Sequence, residues 1–315
     1  MATAGAISRR GLGGRTAGRR RGRRWIRREI ARLDPQRDAA RICELAYITR
    51  YPKQRFPYHL YYTLFFVRAT APPASSRAMD REGRGLIYKP GNQRANNTIA
   101  DIFGWMHDGP DSESARASLA RVKAVHDALA PRWGMPNHVL HYTLLCDTLS
   151  PDRFMEMIGG PRFTEHERRA QVAFWREVGD QLGIEGVPET WEEMVEQAAA
   201  YERSEHFVYS PQGRRAAKRF IEEFCERWFP PRLHWLGRAL VLALVEDRTL
   251  DAHGFRPPPR AFVRLVRRFT ALGIHATYRF LPDAEDGFNP GAMFRAVAPA
   301  TAPAAACPVV HESVA

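Results

Sequence analysis

A histidine stands where an aliphatic side chain would pack better. Ala115, Leu119, Val122, His126 and Leu129 recur at steps of four, three, four and three, which puts them on one inward stripe of a helix. A buried imidazole must use one nitrogen as donor and the other as acceptor. It does so either as a hydrogen-bonded core histidine or as a metal ligand whose second nitrogen is held by an acceptor. On the preceding helix Arg94 and Thr98 are one turn apart and share a face, beside the apolar Ile99, Ile102, Phe103 and Met106. An arginine bordering an apolar face suits an anionic ligand, because its planar fork engages a carboxylate through two hydrogen bonds. An ion pair with Asp101 or Asp108 would occupy it equally well.

Other constellations are weaker. His138 and His141 share a helix face and could hold a metal, but no acidic or thiol partner lies near them in the sequence. Glu202 and His206, one turn apart, read as a surface pair. No Glu-x-x-His occurs, so the chain lacks the ligand pattern of a di-iron carboxylate bundle. The GxxxxGK[ST] phosphate loop, HExxH and GxSxG are absent, and Gly11-Leu-Gly-Gly14 follows no strand. Cys43, Cys146, Cys225 and Cys307 are far apart and form no CxxC, which argues against a disulfide framework, a zinc ribbon or an iron–sulfur site and excludes the CxxCH of covalent haem attachment.

The elements that must position these residues read as helices nearly throughout. Helical spacing or capping signals mark a segment opening at Asp34-Pro35, an aromatic run over residues 58–67, and helices over 94–107 and from Asp111 or Ser112. Further ones are expected from Pro136-Asn137 to Ser150-Pro151 and over 164–182, 190–206, 211–228, 231–245 and 259–272. The stretch between Pro72 and Asn92 reads as a long loop. The expected fold is all-α, a single helical domain over residues 29–295, between disordered extensions at 1–28 and 296–315. The net charge of +12 belongs largely to the first extension, whose 28 residues hold ten arginines and no acid; the rest of the chain has 37 basic against 35 acidic residues. Nucleic acid is therefore not an expected partner of the body. No apolar run is long enough to span a bilayer, so a soluble, cytoplasmic protein is expected, with organelle targeting through the Arg-rich leader as the alternative.

Arg94-Ala-Asn-Asn-Thr98, then Ser112-Glu-Ser-Ala-Arg-Ala-Ser-Leu-Ala-Arg121-Val-Lys-Ala-Val-His126, then Leu140-His-Tyr-Thr-Leu144 resemble the family of MpaB-like oxygenases and latex-clearing rubber oxygenases. Similarity continues through Phe174-Trp175-Arg176-Glu-Val-Gly179-Asp180 and from Leu236-Gly237 to Asp247-Arg248, covering roughly residues 35–275. The resemblance implies a globin-like helical core around non-covalently bound haem b, with His126 as proximal iron ligand and Arg94 and Thr98 lining the haem pocket. It also implies an oxygenase that uses O2 to cleave or oxidise a C=C bond, leaving carbonyl ends, with a small apolar, isoprenoid-like substrate as the other partner. The alternatives are a haem peroxidase-like enzyme and a non-catalytic haem or gas-binding protein. In rubber oxygenases a lysine precedes the threonine and reaches the iron; here that position is Asn97, so no lysine-closed state is expected. The proximal imidazole would also need an acceptor for its second nitrogen, a role that a backbone carbonyl can fill.

Overall fold

The computed structural model describes residues 24–50, 53–89, 91 and 93–295. Among them the chain forms fourteen α-helices, three short 3-10 turns and no strand, the expected all-α single domain. Helices α1 (Ile26–Ile30) and α2 (Ala39–Arg50) precede α3 (Arg55–Ala69). Then come α4 (Pro73–Asp80), α5 (Gln93–Asp108), α6 (Glu113–Trp133) and α7 (Asn137–Ile158). Next are α8 (Glu165–Leu182), α9 (Trp191–Arg203) and α10 (Pro211–Trp228). The shorter α11 (His234–Ala243) and α12 (Asp247–His253), the long α13 (Arg260–Phe280) and α14 (Ala292–Arg295) complete the chain.

Local chemistry starts these helices where the sequence indicates. Ser112 caps α6 by accepting the Ala115 N–H, and Thr164 with Glu167 and Thr190 with Glu193 form reciprocal capping boxes on α8 and α9. The aromatic α3 lies centrally and packs against α5, α7 and α10. Phe66 stacks on Phe220 of α10 with ring centroids 5.1 Å apart, and Tyr58 meets Phe103 of α5 edge-on at 5.0 Å. Tyr58, Tyr62, Phe65 and Phe66 are thus core residues. Tyr61 and Phe65 also border a partly open cavity of about 40 Å³, lined on its other sides by α7, α12 and the segment around Leu244.

Several expectations change. Trp25 and Ile26 are buried, the Trp25 indole donates to the Ala284 carbonyl at 2.8 Å, and the Ile26 amide donates to Asp283. Residues 24–28 therefore belong to the folded body rather than to a disordered extension; residues 1–23 and 296–315 lie outside the described residues. The stretch expected as a long loop contains α4, started by Pro73 at its first turn. It then turns tightly through Arg81 and Glu82, both at positive φ (45° and 56°). Gly85 lies so close to this turn that a Cβ there would stand 1.8 Å from the Met79 carbonyl oxygen.

Helix α7 runs through Pro151 to Ile158 instead of stopping, because its last turns are anchored. Asp152, buried, accepts the Phe163 amide at 2.7 Å and pairs with Arg162 and Arg168. Helix α13 continues eight residues beyond Leu272, passing the exposed Gly273 at a cost of only about 1 kcal/mol in propensity.

Candidate active site

Helices α5 and α6 form an antiparallel hairpin whose two ends differ. Near the turn they are tied together: Trp105 donates to the Ser118 hydroxyl at 3.1 Å, and Ser118 and Arg121 both donate to Asp101 at 2.9–3.0 Å. Ala115, Ser118 and Leu119 are buried there. Beyond Leu119 no residue of α6 is fully buried, although Val122, His126 and Leu129 continue the inward stripe. The stripe thus passes from fully buried to half-buried positions, and His126 stands on the half-buried part.

His126 has one ring nitrogen, Nδ1, sealed from solvent with no hydrogen-bond partner. The expected backbone acceptor is not there. Burial lowers its pKa below the usual histidine value, with Lys123 and Arg94 adding to the effect against Asp127. The imidazole is therefore neutral at pH 7, the form that offers a lone pair.

Arg94, on the opening turn of α5, lies close enough for its charge to act on His126. It pairs with neither Asp101, held by Ser118 and Arg121, nor Asp108, which accepts from Ser114. Its guanidinium lies 4.1 Å from the Phe66 ring centroid and 5.3 Å from that of Phe220. It donates to the Tyr62 hydroxyl and reaches the Met79 sulfur at 3.4 Å. An aromatic box therefore positions the cation without neutralising it. Thr98, one turn on, is half-buried, and Asn97 is exposed.

Three further residues join this group that the spacing argument had not singled out. Glu223 of α10 is buried with no hydrogen bond; burial raises its pKa against the opposing pull of Arg94, Arg219 and Arg227. Tyr62 fixes Arg94 from α3. His59, also on α3, stacks on Tyr62 at 5.8 Å and accepts the Trp228 indole N–H at Nδ1 over 2.8 Å. Its proton must then sit on Nε2, which is sealed and has no partner. Burial pushes its pKa down to about 3. Glu223 was open to the same test as His126: Ala216, Phe220 and Glu223 recur at steps of four and three on the buried side of α10.

The other pairs resolve structurally. His138 stacks on His206 at 4.3 Å and bonds the Tyr201 hydroxyl, while His141 bonds the Glu185 carbonyl. Glu202 is no surface residue: it is buried and ion-paired with Arg68 and Arg153. Among the described residues no group of three or more His, Cys, Asp or Glu side chains is placed to hold a metal ion. Cys43, Cys146 and Cys225 are buried free thiols; Cys307 lies outside the described residues.

The hairpin carrying Arg94, Thr98 and His126 lies inside a longer match. The profile of the catalytic domain of the ER-bound oxygenases MpaB and MpaB′ and the rubber oxygenases matches residues 90–274. The chain belongs to this family. It is 24% identical to the ER-bound oxygenase MpaB′ of Penicillium brevicompactum over 197 residues, 59% of this chain and 46% of that protein. To the ER-bound oxygenase MpaB of the same organism it is 28% identical over 112 residues, 36% and 29% of the two chains. The chain therefore spans less than half the length of these curated relatives. A solved structure of latex clearing protein in its closed state has the same fold, with a TM-score of 0.58, 16% identity, and 84% of this chain and 73% of that one covered. The hairpin thus lies within the part of the chain that matches the family. Among the described residues no helix is long and apolar enough to cross a membrane.

Proposed function

We propose that this family member is a haem-b-dependent oxygenase acting with O2 on a C=C bond of a small apolar, isoprenoid-like substrate. One observation carries the reading: a neutral imidazole with an unsatisfied sealed nitrogen, on the half-buried part of α6, lies within electrostatic reach of an arginine that has no acidic partner. The residues present would suit haem, because a single histidine is enough when a macrocycle supplies the iron's other donors. Bound haem b would supply the redox chemistry that divides O2 between the two carbons of the alkene, so that both oxygen atoms leave as carbonyl oxygens and no further reductant is consumed.

The protein's share is binding, orientation and charge. His126 would give an imidazole lone pair to the iron. Arg94, already positioned by Phe66, Phe220 and Tyr62, would pair with a carboxylate of the cofactor or stabilise negative charge developing beside it. The Thr98 hydroxyl lies on the same face of α5 and would donate a hydrogen bond there. Glu223, whose raised pKa keeps its carboxyl closer to protonation than an exposed one, would hold or return a proton.

The test is spectroscopic. Protein from haem-supplied cells should show a Soret band, and His126→Ala should reduce haem content at least about tenfold with far-UV circular dichroism unchanged. Wild-type protein that stays colourless after reconstitution with haem would falsify the reading. Consumption of O2 rather than peroxide during alkene turnover separates the oxygenase from a peroxidase-like enzyme, and a stable oxygenated form without turnover would mark a gas-binding protein.

A further inference from the structure

Helix α13 carries two apolar faces where a packed helix needs one. Val266, Ala271 and Ile274 are buried on its inner side, against α2, α7 and α11. On the outer side Leu265, Phe269 and Leu272 recur at steps of four and three, 52%, 65% and 62% exposed, and Ala276 and Phe280 prolong the line. Trp235 at the start of the adjoining α11 is 68% exposed. Along one flank of the outer stripe runs a second row, Arg264, Arg268, His275 and Arg279 at steps of four, seven and four, all exposed. Helix α13 contains five arginines and no acidic residue. The pattern is that of an amphipathic helix lying in the plane of a lipid interface, with Phe and Leu entering the acyl boundary and arginines meeting phosphate.

The charge around the stripe points to the same occupant. Arg24 donates to the carbonyls of Tyr278 and Arg279, which closes the last turn of α13, and Arg27 lies 5.9 Å from the Tyr278 ring centroid. The chain preceding Arg24 adds seven more arginines and no acid, and it joins the fold at this end of α13. A second copy docked through the same stripe would bring arginine rows together with no acid on the helix to answer them. We propose that the outer face of α13, with Trp235 beside it, docks on a bilayer surface carrying anionic headgroups. This is a surface contact, distinct from a membrane span, and it is independent of the haem reading.

The test is co-sedimentation of the full chain with vesicles of phosphatidylcholine alone and of phosphatidylcholine with about one-third phosphatidylserine. The expected result is binding to the anionic vesicles at least about tenfold tighter than to the neutral ones, released by salt. The double variant Phe269→Ser, Leu272→Ser should lose about tenfold or more of that binding with its melting temperature unchanged, since both side chains are exposed. Arg264→Gln with Arg268→Gln should remove most of the preference for phosphatidylserine. Failure of the wild-type chain to bind either vesicle would overturn the proposal, as would equal binding to both or wild-type binding by the Ser variant. A dimer in light scattering that the Ser variant converts to monomer, without vesicle binding, would overturn it in favour of self-association.

Discussion

Two arginines on neighbouring helices show how one residue type serves opposite ends. Arg68 of α3 is buried and saturated: it donates to Glu202 at 2.8 Å and to both carboxylate oxygens of Glu246 at 2.7–2.8 Å. Glu202 is equally committed, accepting from Arg153 at 2.8 and 3.1 Å and from Tyr142 at 3.1 Å. Burial would raise the Glu202 pKa, yet Arg68 and Arg153 hold it below the usual carboxylate value. Arg94 of α5 has no carboxylate. It is stacked and bonded to a phenol, and around it Glu223, His126 Nδ1 and His59 Nε2 have no hydrogen bonds. A saturated cluster has nothing left to offer a ligand. An unsatisfied one bears a standing cost of about 1–3 kcal/mol for each sealed group, which a ligand can relieve.

The first way to break this contrast is Glu202→Ala. It strands Arg68 and Arg153 with only the half-buried Glu246, and removal of one partner from a buried pair costs about 3–5 kcal/mol. Urea unfolding should show that loss, while the haem spectrum of the folded fraction keeps its shape. A variant that retains stability but loses haem would show that the hub belongs to the site after all.

Glu223→Gln probes the other cluster. The raised pKa means that the unfolded chain ionises first as pH rises, so Glu223 costs stability above its ordinary carboxylate value and nothing below it. The Gln variant should therefore be slightly more stable than wild type at pH 7, and the difference should vanish in acid. Its turnover should fall by about 100-fold, with the corresponding limb of the pH profile lost. Unchanged turnover and an unchanged pH profile would remove Glu223 from the proposed chemistry.

Legibility in the sequence followed locality. Helix starts were readable because a cap and the amide it accepts lie within three residues, as with Ser112 and Ala115 or Thr164 and Glu167. Stops were less readable: α7 passes Pro151 because Asp152 finds Arg162 and Phe163 across a turn. Glu202 looked like a surface acid because its partner Arg68 lies 134 residues away. In the candidate site, Arg94, Thr98 and His126 share one hairpin and show as spacing, whereas Tyr62, His59 and Glu223 arrive from α3 and α10. No local pattern announces that convergence, although the acid on the buried stripe of α10 was as visible as the histidine on that of α6.

The smallest expected effect separates the unsatisfied cluster from ordinary core. His59, held near a pKa of 3 by burial, resists protonation in the folded chain, while the unfolded chain takes up that proton near 6.5. A histidine with a depressed folded value costs no stability above its unfolded pKa. The loss then grows as pH falls through about 6.5, by about 1.4 kcal/mol per pH unit for one group. His253 adds a second such slope, since burial lowers it to about 4 although its Nε2 bonds the Val67 carbonyl at 2.6 Å. His126, also lowered by burial, and the raised Glu223 add slopes of their own, so urea midpoints between pH 7 and 5 are compared between wild type and variant. His59→Phe should lose less stability on acidification than wild type, its slope shallower by about one proton, whatever constant penalty it adds by leaving the Trp228 N–H without an acceptor. An unchanged slope in that variant would mean that His59 meets water or a partner through Nε2. It would then belong with the satisfied histidines and not with His126.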